Sequence, residues 1–126
     1  LPRLGRRRSE RPVGLPEGYL ARRLQFAAKL AEVPLWGKKL VTVNGEEVVL
    51  INDNGTISAC ENYCPHQGSP MLGGVVKDGV ISCPRHGWHY DLANGACTDH
   101  LGYTLKTYRV EVVGDDIMID TATESD

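Results

Sequence analysis

The chain has 126 residues, with 14 Lys+Arg against 16 Asp+Glu for a formal net charge of −2, and 14 Gly and 7 Pro punctuate it. That length allows one domain with a modest core. The near-balance of charge excludes a general preference for nucleic acid or membrane surfaces, and no window holds the run of roughly 18 apolar residues that a membrane span requires.

Charge is uneven along the chain: Arg3, Arg6, Arg7, Arg8 and Arg11 face only Glu10, so a basic tail precedes an acidic remainder. Residues 1–18 lack apolar periodicity and are expected to form a flexible arm, either solubilising or a handle for a partner subunit. Over 19–31, Leu20, Leu24, Ala27, Ala28 and Ala31 suit a helix. A strand through 24–28 competes with it, and Pro34 ends either one. After Gly37 the signals sharpen. The runs 39–43 and 46–51 flank Asn44-Gly45, a pair suited to a type I′ turn, which predicts a hairpin. Residues 52–55 are a second turn and 56–60 a third strand. The runs 73–77 and 80–82 flank Asp78-Gly79, another I′-type pair. Asp91-Leu92-Ala93-Asn94-Gly95 reads as a turn, 105–113 alternates as one long strand, Gly114-Asp115 reverses the chain, and 116–120 makes the last strand. Residues 121–126 are a polar tail expected to fray. Short strands between turns, with no dependable helix, predict an all-β domain over 19–120.

Two stretches stand out, Cys64-Pro65-His66-Gln67-Gly68 and Cys83-Pro84-Arg85-His86-Gly87-Trp88-His89-Tyr90-Asp91. Each supplies one Cys and one His from a neighbouring hairpin, so together they form the halves of a metal site. Structural zinc would take the four donors in one closed tetrahedron. A mononuclear iron or copper site usually wants a different ligand mix. A two-iron cluster would put two Cys on one iron and two His on the other. The mixed pairs favour the cluster, because zinc modules commonly draw a Cys pair from one element and a His pair from another. Gly68 and Gly87 also let the loops wrap closely around an inorganic core whose sulfides accept N–H bonds.

Four cysteines could instead make two disulfides in a secreted protein. Two of them sit in Cys/His pairs, however, and the Arg6-Arg7-Arg8 run is not followed by the apolar core of an export signal, so a cytoplasmic protein is expected. Cys60 and Cys97 read as packing residues, with a disulfide between them left open. Trp88 is either a shield for the site or simple packing, His89 a surface residue, and His100 an unneeded ligand.

The pattern Cys-x-His, sixteen intervening residues, then Cys-x-x-His resembles the Rieske [2Fe–2S] family. The likeness extends over residues 24–120 and includes the approach at 55–59 and the closing run 108–117. It implies a Rieske-type fold of three stacked antiparallel β-sheets, with two cluster-binding loops at one tip. It implies one [2Fe–2S] cluster per chain, Cys64 and Cys83 on the inner iron and His66 and His86 on the outer. Members from respiratory cytochrome bc complexes tie the loops with a disulfide at positions that are Ser69 and Arg85 here. They also place a hydroxyl donor at the position of Trp88, whereas Tyr90 keeps the other donor. Fewer donors to sulfur imply a low potential.

The resemblance implies a one-electron carrier that does no bond chemistry alone, passing electrons from a flavin-dependent reductase to a terminal oxygenase or other acceptor. The alternative is an electron-transfer subunit or domain of a larger oxidoreductase, of ring-hydroxylating oxygenase or nitrite-reductase type. An oxygenase further needs an iron held by two His and a carboxylate, for which only His89 and His100 would remain.

Overall fold

Val48, Val49, Leu50 and Ile51 follow one another in sequence and are all buried, a pattern a strand shows when both of its faces are covered. They lie in β3 (Glu46–Asp53), the middle strand of an antiparallel sheet with β2 (Lys38–Val43) and β4 (Thr56–Glu61). Val48 and Leu50 pack with Ala28, Tyr108, Ile117 and Ile119 on one side. Val49 and Ile51 pack with Met71, Ile81, Tyr90 and Leu105 on the other. Two cores therefore sit on opposite faces of one sheet, and each fully buried Ile or Leu in them contributes about 1.5–3 kcal/mol relative to exposure.

The structure is a computed structural model that describes residues 24–121. The arm expected at 1–18, residues 19–23 and the tail beyond 121 lie outside the described residues. The first core is closed by a sheet of β1 (Leu24–Lys29), β9 (Asp116–Asp120) and β8 (Arg109–Val113), in that order. The second is closed by β5 (Val75–Lys77), β6 (Val80–Ser82) and β7 (His89–Asp91). All pairings within these sheets are antiparallel. The expected all-β, stacked-sheet architecture is what the chain adopts. The Asn44-Gly45 and Asp78-Gly79 turns both have positive φ at both residues, as type I′ requires.

Three segments left open or read otherwise in the sequence take definite form. Of the two competing readings over 19–31, the strand is the one found from Leu24: β1 is followed by a single 3-10 turn at Leu30–Glu32. A register shift between Phe26 and Ala28 breaks the strand's period of two and turns Ala28 into the core, so its alternation was hidden. The run 105–113 is not one strand of one sheet. Its first part bonds to β4, through Glu61 N–H to Lys106 O at 2.9 Å and Tyr108 N–H to Ala59 O at 3.0 Å. Only Arg109–Val113 pairs with β9. The alternation continues while the partner sheet changes. Finally, Asp91, read as the first residue of a turn, is the last residue of a strand His89–Asp91 paired with β6.

Candidate metal centre

The two Cys/His stretches fold as the same turn twice. Cys64 O accepts from Gly68 N–H at 2.6 Å and Cys64 N–H donates to Ser69 O at 2.8 Å. In the second loop Cys83 O accepts from Gly87 N–H at 2.8 Å and Cys83 N–H donates to Trp88 O at 2.8 Å. Gly68 and Gly87 have φ of 74° and 76°. Position for position, His66 therefore matches Arg85 and Gln67 matches His86. The unequal spacings Cys-x-His and Cys-x-x-His arise from one backbone shape with the imidazole placed one residue later in the second loop.

The donors divide by depth. Cys64 and Cys83 are 2% and 1% exposed, while His66 is half-buried and His86 exposed. The two imidazole centroids lie 5.2 Å apart, close enough for both rings to reach one metal ion. His66 Nδ1 is buried with no hydrogen-bond partner, and an orphaned buried polar atom costs about 1–3 kcal/mol. A bond to a metal held there would satisfy it. His86 Nε2 lies 2.6 Å from Gln67 Oε1, which leaves Nδ1 of His86 as its free nitrogen too. Burial pushes the Cys83 thiol up, but the backbone N–H groups of His86 and Arg85 and the side chains of Cys64 and Ser69 outweigh it and bring it below the usual thiol range. The loop thus favours a thiolate.

Hydroxyls cross between the loops. The Tyr90 hydroxyl, which follows the second loop, lies 3.3 Å from Cys64 Sγ of the first. Ser69 of the first loop is among the groups that bring down the Cys83 thiol of the second. Burial, and then the bond with Cys64, push the Tyr90 phenol far up, so it stays protonated and able to donate. The influence of Ser69 on Cys83 has no signal in the sequence, where position 69 stands only for an absent disulfide partner.

All four cysteines are free, so Cys60 and Cys97 are packing residues. Burial, reinforced by Glu61, pushes the Cys60 thiol up to about 12. Among the described residues, no three His, Cys, Asp or Glu side chains close on a single point, and a binuclear cluster asks only two protein donors of each iron. Buried thiols, outward imidazoles and an orphaned Nδ1 fit that group.

Residues 98–103 cover the His side. Trp88 stacks on His66 at 3.8 Å with 5° between the planes, and His100 stacks on the other face of Trp88 at 3.8 Å. Tyr103 meets both His66 and Trp88 edge-on. Asp99 anchors the segment by accepting from His89 N–H at 2.7 Å and lying 2.9 Å from its Nδ1. Trp88 is thus a shield over His66, His100 backs it by stacking, and His89 is exposed and serves the anchor.

The Rieske [2Fe-2S] domain family matches residues 24–109. The ferredoxin component of a naphthalene 1,2-dioxygenase system from Pseudomonas aeruginosa is 35% identical over 75% of this chain and 91% of that protein. Apoptosis-inducing factor 3 of Mus musculus is 30% identical over 77% of this chain, which spans only 15% of that longer protein. The solved ferredoxin of carbazole 1,9a-dioxygenase from Nocardioides aromaticivorans IC177 superposes with a TM-score of 0.71, at 26% identity, over 78% of this chain and 97% of that one. The matched loops, the stacked sheets and these likenesses converge: the chain belongs to the Rieske [2Fe–2S] domain family, carries one such cluster and serves as an electron carrier.

Proposed function

We propose that Cys64 and Cys83 hold the inner iron and His66 and His86 the outer iron, and that the protein carries electrons from a flavin-dependent reductase to a terminal oxygenase in the cytoplasm. The observation that carries this proposal is the division of donors by depth, with both thiols buried and the His86 edge open to a partner. The bound cluster supplies reversible one-electron storage. Around it the chain orients the imidazoles, excludes water from the thiolates and aims the Tyr90 and Ser69 hydroxyls at sulfur. The likeness to a whole dioxygenase ferredoxin component, 91% of which is covered, favours a separate carrier. The working unit is residues 19–120, with the Arg-rich 1–18 as a partner contact. Rapid mixing of the protein with a flavin reductase and NADH should reduce it, and a terminal oxygenase with its aromatic substrate should reoxidise it as product forms. Reduction without reoxidation by the oxygenase would refute the proposed acceptor.

The match to a much longer protein supports a second possibility, a subunit or domain of a larger oxidoreductase. Native size-exclusion separates the two, since a carrier elutes alone and a subunit elutes with its complex.

Tyr90 provides a further test. A donor to a cluster sulfur stabilises the reduced, more negative state more than the oxidised one. Replacing Tyr90 by Phe should therefore lower the midpoint potential by about 60 mV, a tenfold change in a one-electron equilibrium. Redox titration of the two proteins side by side measures the shift, and an unchanged or higher potential in the Phe variant would show that the hydroxyl does not act on the cluster.

A further inference from the structure

We infer that Gln67 is a positioning residue for His86, and that it makes the two imidazoles of the outer iron chemically unequal. This rests on the proposed ligand set. The loops match position for position, so Gln67 occupies in the first loop the place His86 occupies in the second. Its amide spans the gap between them, with Oε1 2.6 Å from His86 Nε2. A carbonyl oxygen can only accept, so Nε2 carries the proton and donates. That fixes the tautomer in which Nδ1 keeps its lone pair for iron.

Among the described residues His66 makes no hydrogen bond of this kind from its outer nitrogen, and the nitrogen it would leave for iron is the buried one. Its Nδ1 is the buried orphan, and its ring is held by stacking under Trp88 and by the edge of Tyr103. One imidazole is thus clamped by aromatic faces, and the other is held by a hydrogen bond across the loops. The bond also ties together two loops that no disulfide joins, since all four cysteines are free. An acceptor on Nε2–H raises the basicity of the ligating nitrogen and draws His86 closer to iron electronically. His66, whose ring is held by apolar faces, lacks that push.

The test uses the full-length, cluster-loaded protein and its Gln67→Leu and Gln67→Glu variants, each grown with nitrogen-15 histidine. Iron and sulfide content come first, followed by pulsed EPR of the reduced form, which resolves the coupling of each imidazole nitrogen to the spin. Wild type should give two unequal couplings. In Gln67→Leu one coupling should change while the other holds, and the potential should rise. In Gln67→Glu the same coupling should change and the potential should fall, because a carboxylate is the stronger acceptor. Both couplings unchanged, or both shifted equally, at full iron and sulfide content would overturn the role of Gln67. Failure of both variants to hold the cluster would overturn it as well, since orienting an imidazole is not assembling the site. Absence of any imidazole coupling in wild type would instead remove the ligand assignment itself.

Discussion

Cys83→Ser should leave the three sheets intact and abolish cluster binding. Cys83 is 1% exposed, at the end of β6 where Ile81 and Tyr90 pack around it. Its backbone and cross-loop contacts favour a thiolate. A serine hydroxyl remains protonated at neutral pH and is a harder, weaker donor to iron in a sulfur site. The expected outcome is iron and acid-labile sulfide below a tenth of the wild-type content, with far-UV circular dichroism unchanged. Cys97→Ser is the matched control. Cys97 packs in the same core and is also buried and free, but it has no ligand role and its variant should load fully. Equal iron in Cys83→Ser and wild type would remove Cys83 from the ligand set.

Gly95→Ala should be strongly destabilising. Gly95 has a φ of 81°, and a Cβ there would overlap the carbonyl oxygen of Leu105, with the Leu105 carbonyl carbon and a Thr104 methyl close behind. The obstacle is backbone that cannot yield. Leu105 is fully buried, and its N–H donates to Gly95 O at 2.7 Å. A left-handed alanine costs about 1–2 kcal/mol by itself. Displacing a buried backbone segment takes the total to roughly 3 kcal/mol or more, near the upper end of point-mutant effects. For a domain of this size that is a fall in Tm of roughly 12 °C or more. Gly102→Ala separates the two contributions, because Gly102 has a φ of 95° with nothing near a Cβ. It should lose only the conformational part. Equal melting shifts in the two variants would mean that the contact with Leu105 carries no cost. Because Gly95 precedes the segment that covers His66, its variant should also weaken the shield around the outer imidazole.

The sequence held most of this arrangement because turns and ligand spacing are local. Asn44-Gly45 and Asp78-Gly79 announce their hairpins through backbone chemistry that few other pairs satisfy, and the Cys/His spacing sits within two short loops. Non-local features were harder to see. Ala28 is turned inward by a bulge whose cause is pairing with β9, more than eighty residues away. Residues 105–108 change sheets because β4 offers a free edge there, which no periodicity records. The cross-loop contacts of Ser69 and Gln67 depend on two turns meeting face to face. For Gln67 one signal was available: aligning the loops as Cys-Pro-x-x-Gly sets it opposite His86. The stack of His100 on Trp88 and the Asp99 anchor had no such signal, because the segment 98–103 carries no motif.

Mixed ligation by two thiolates and two imidazoles is the claim on which the rest depends, and pulsed EPR of the reduced wild-type protein carrying nitrogen-15 histidine tests it most directly. Two histidine nitrogens coupled to the spin of a reduced two-iron cluster, with unequal strengths, are the predicted result. A cluster with no histidine coupling, or a colourless protein that binds zinc and contains no labile sulfide, would contradict it.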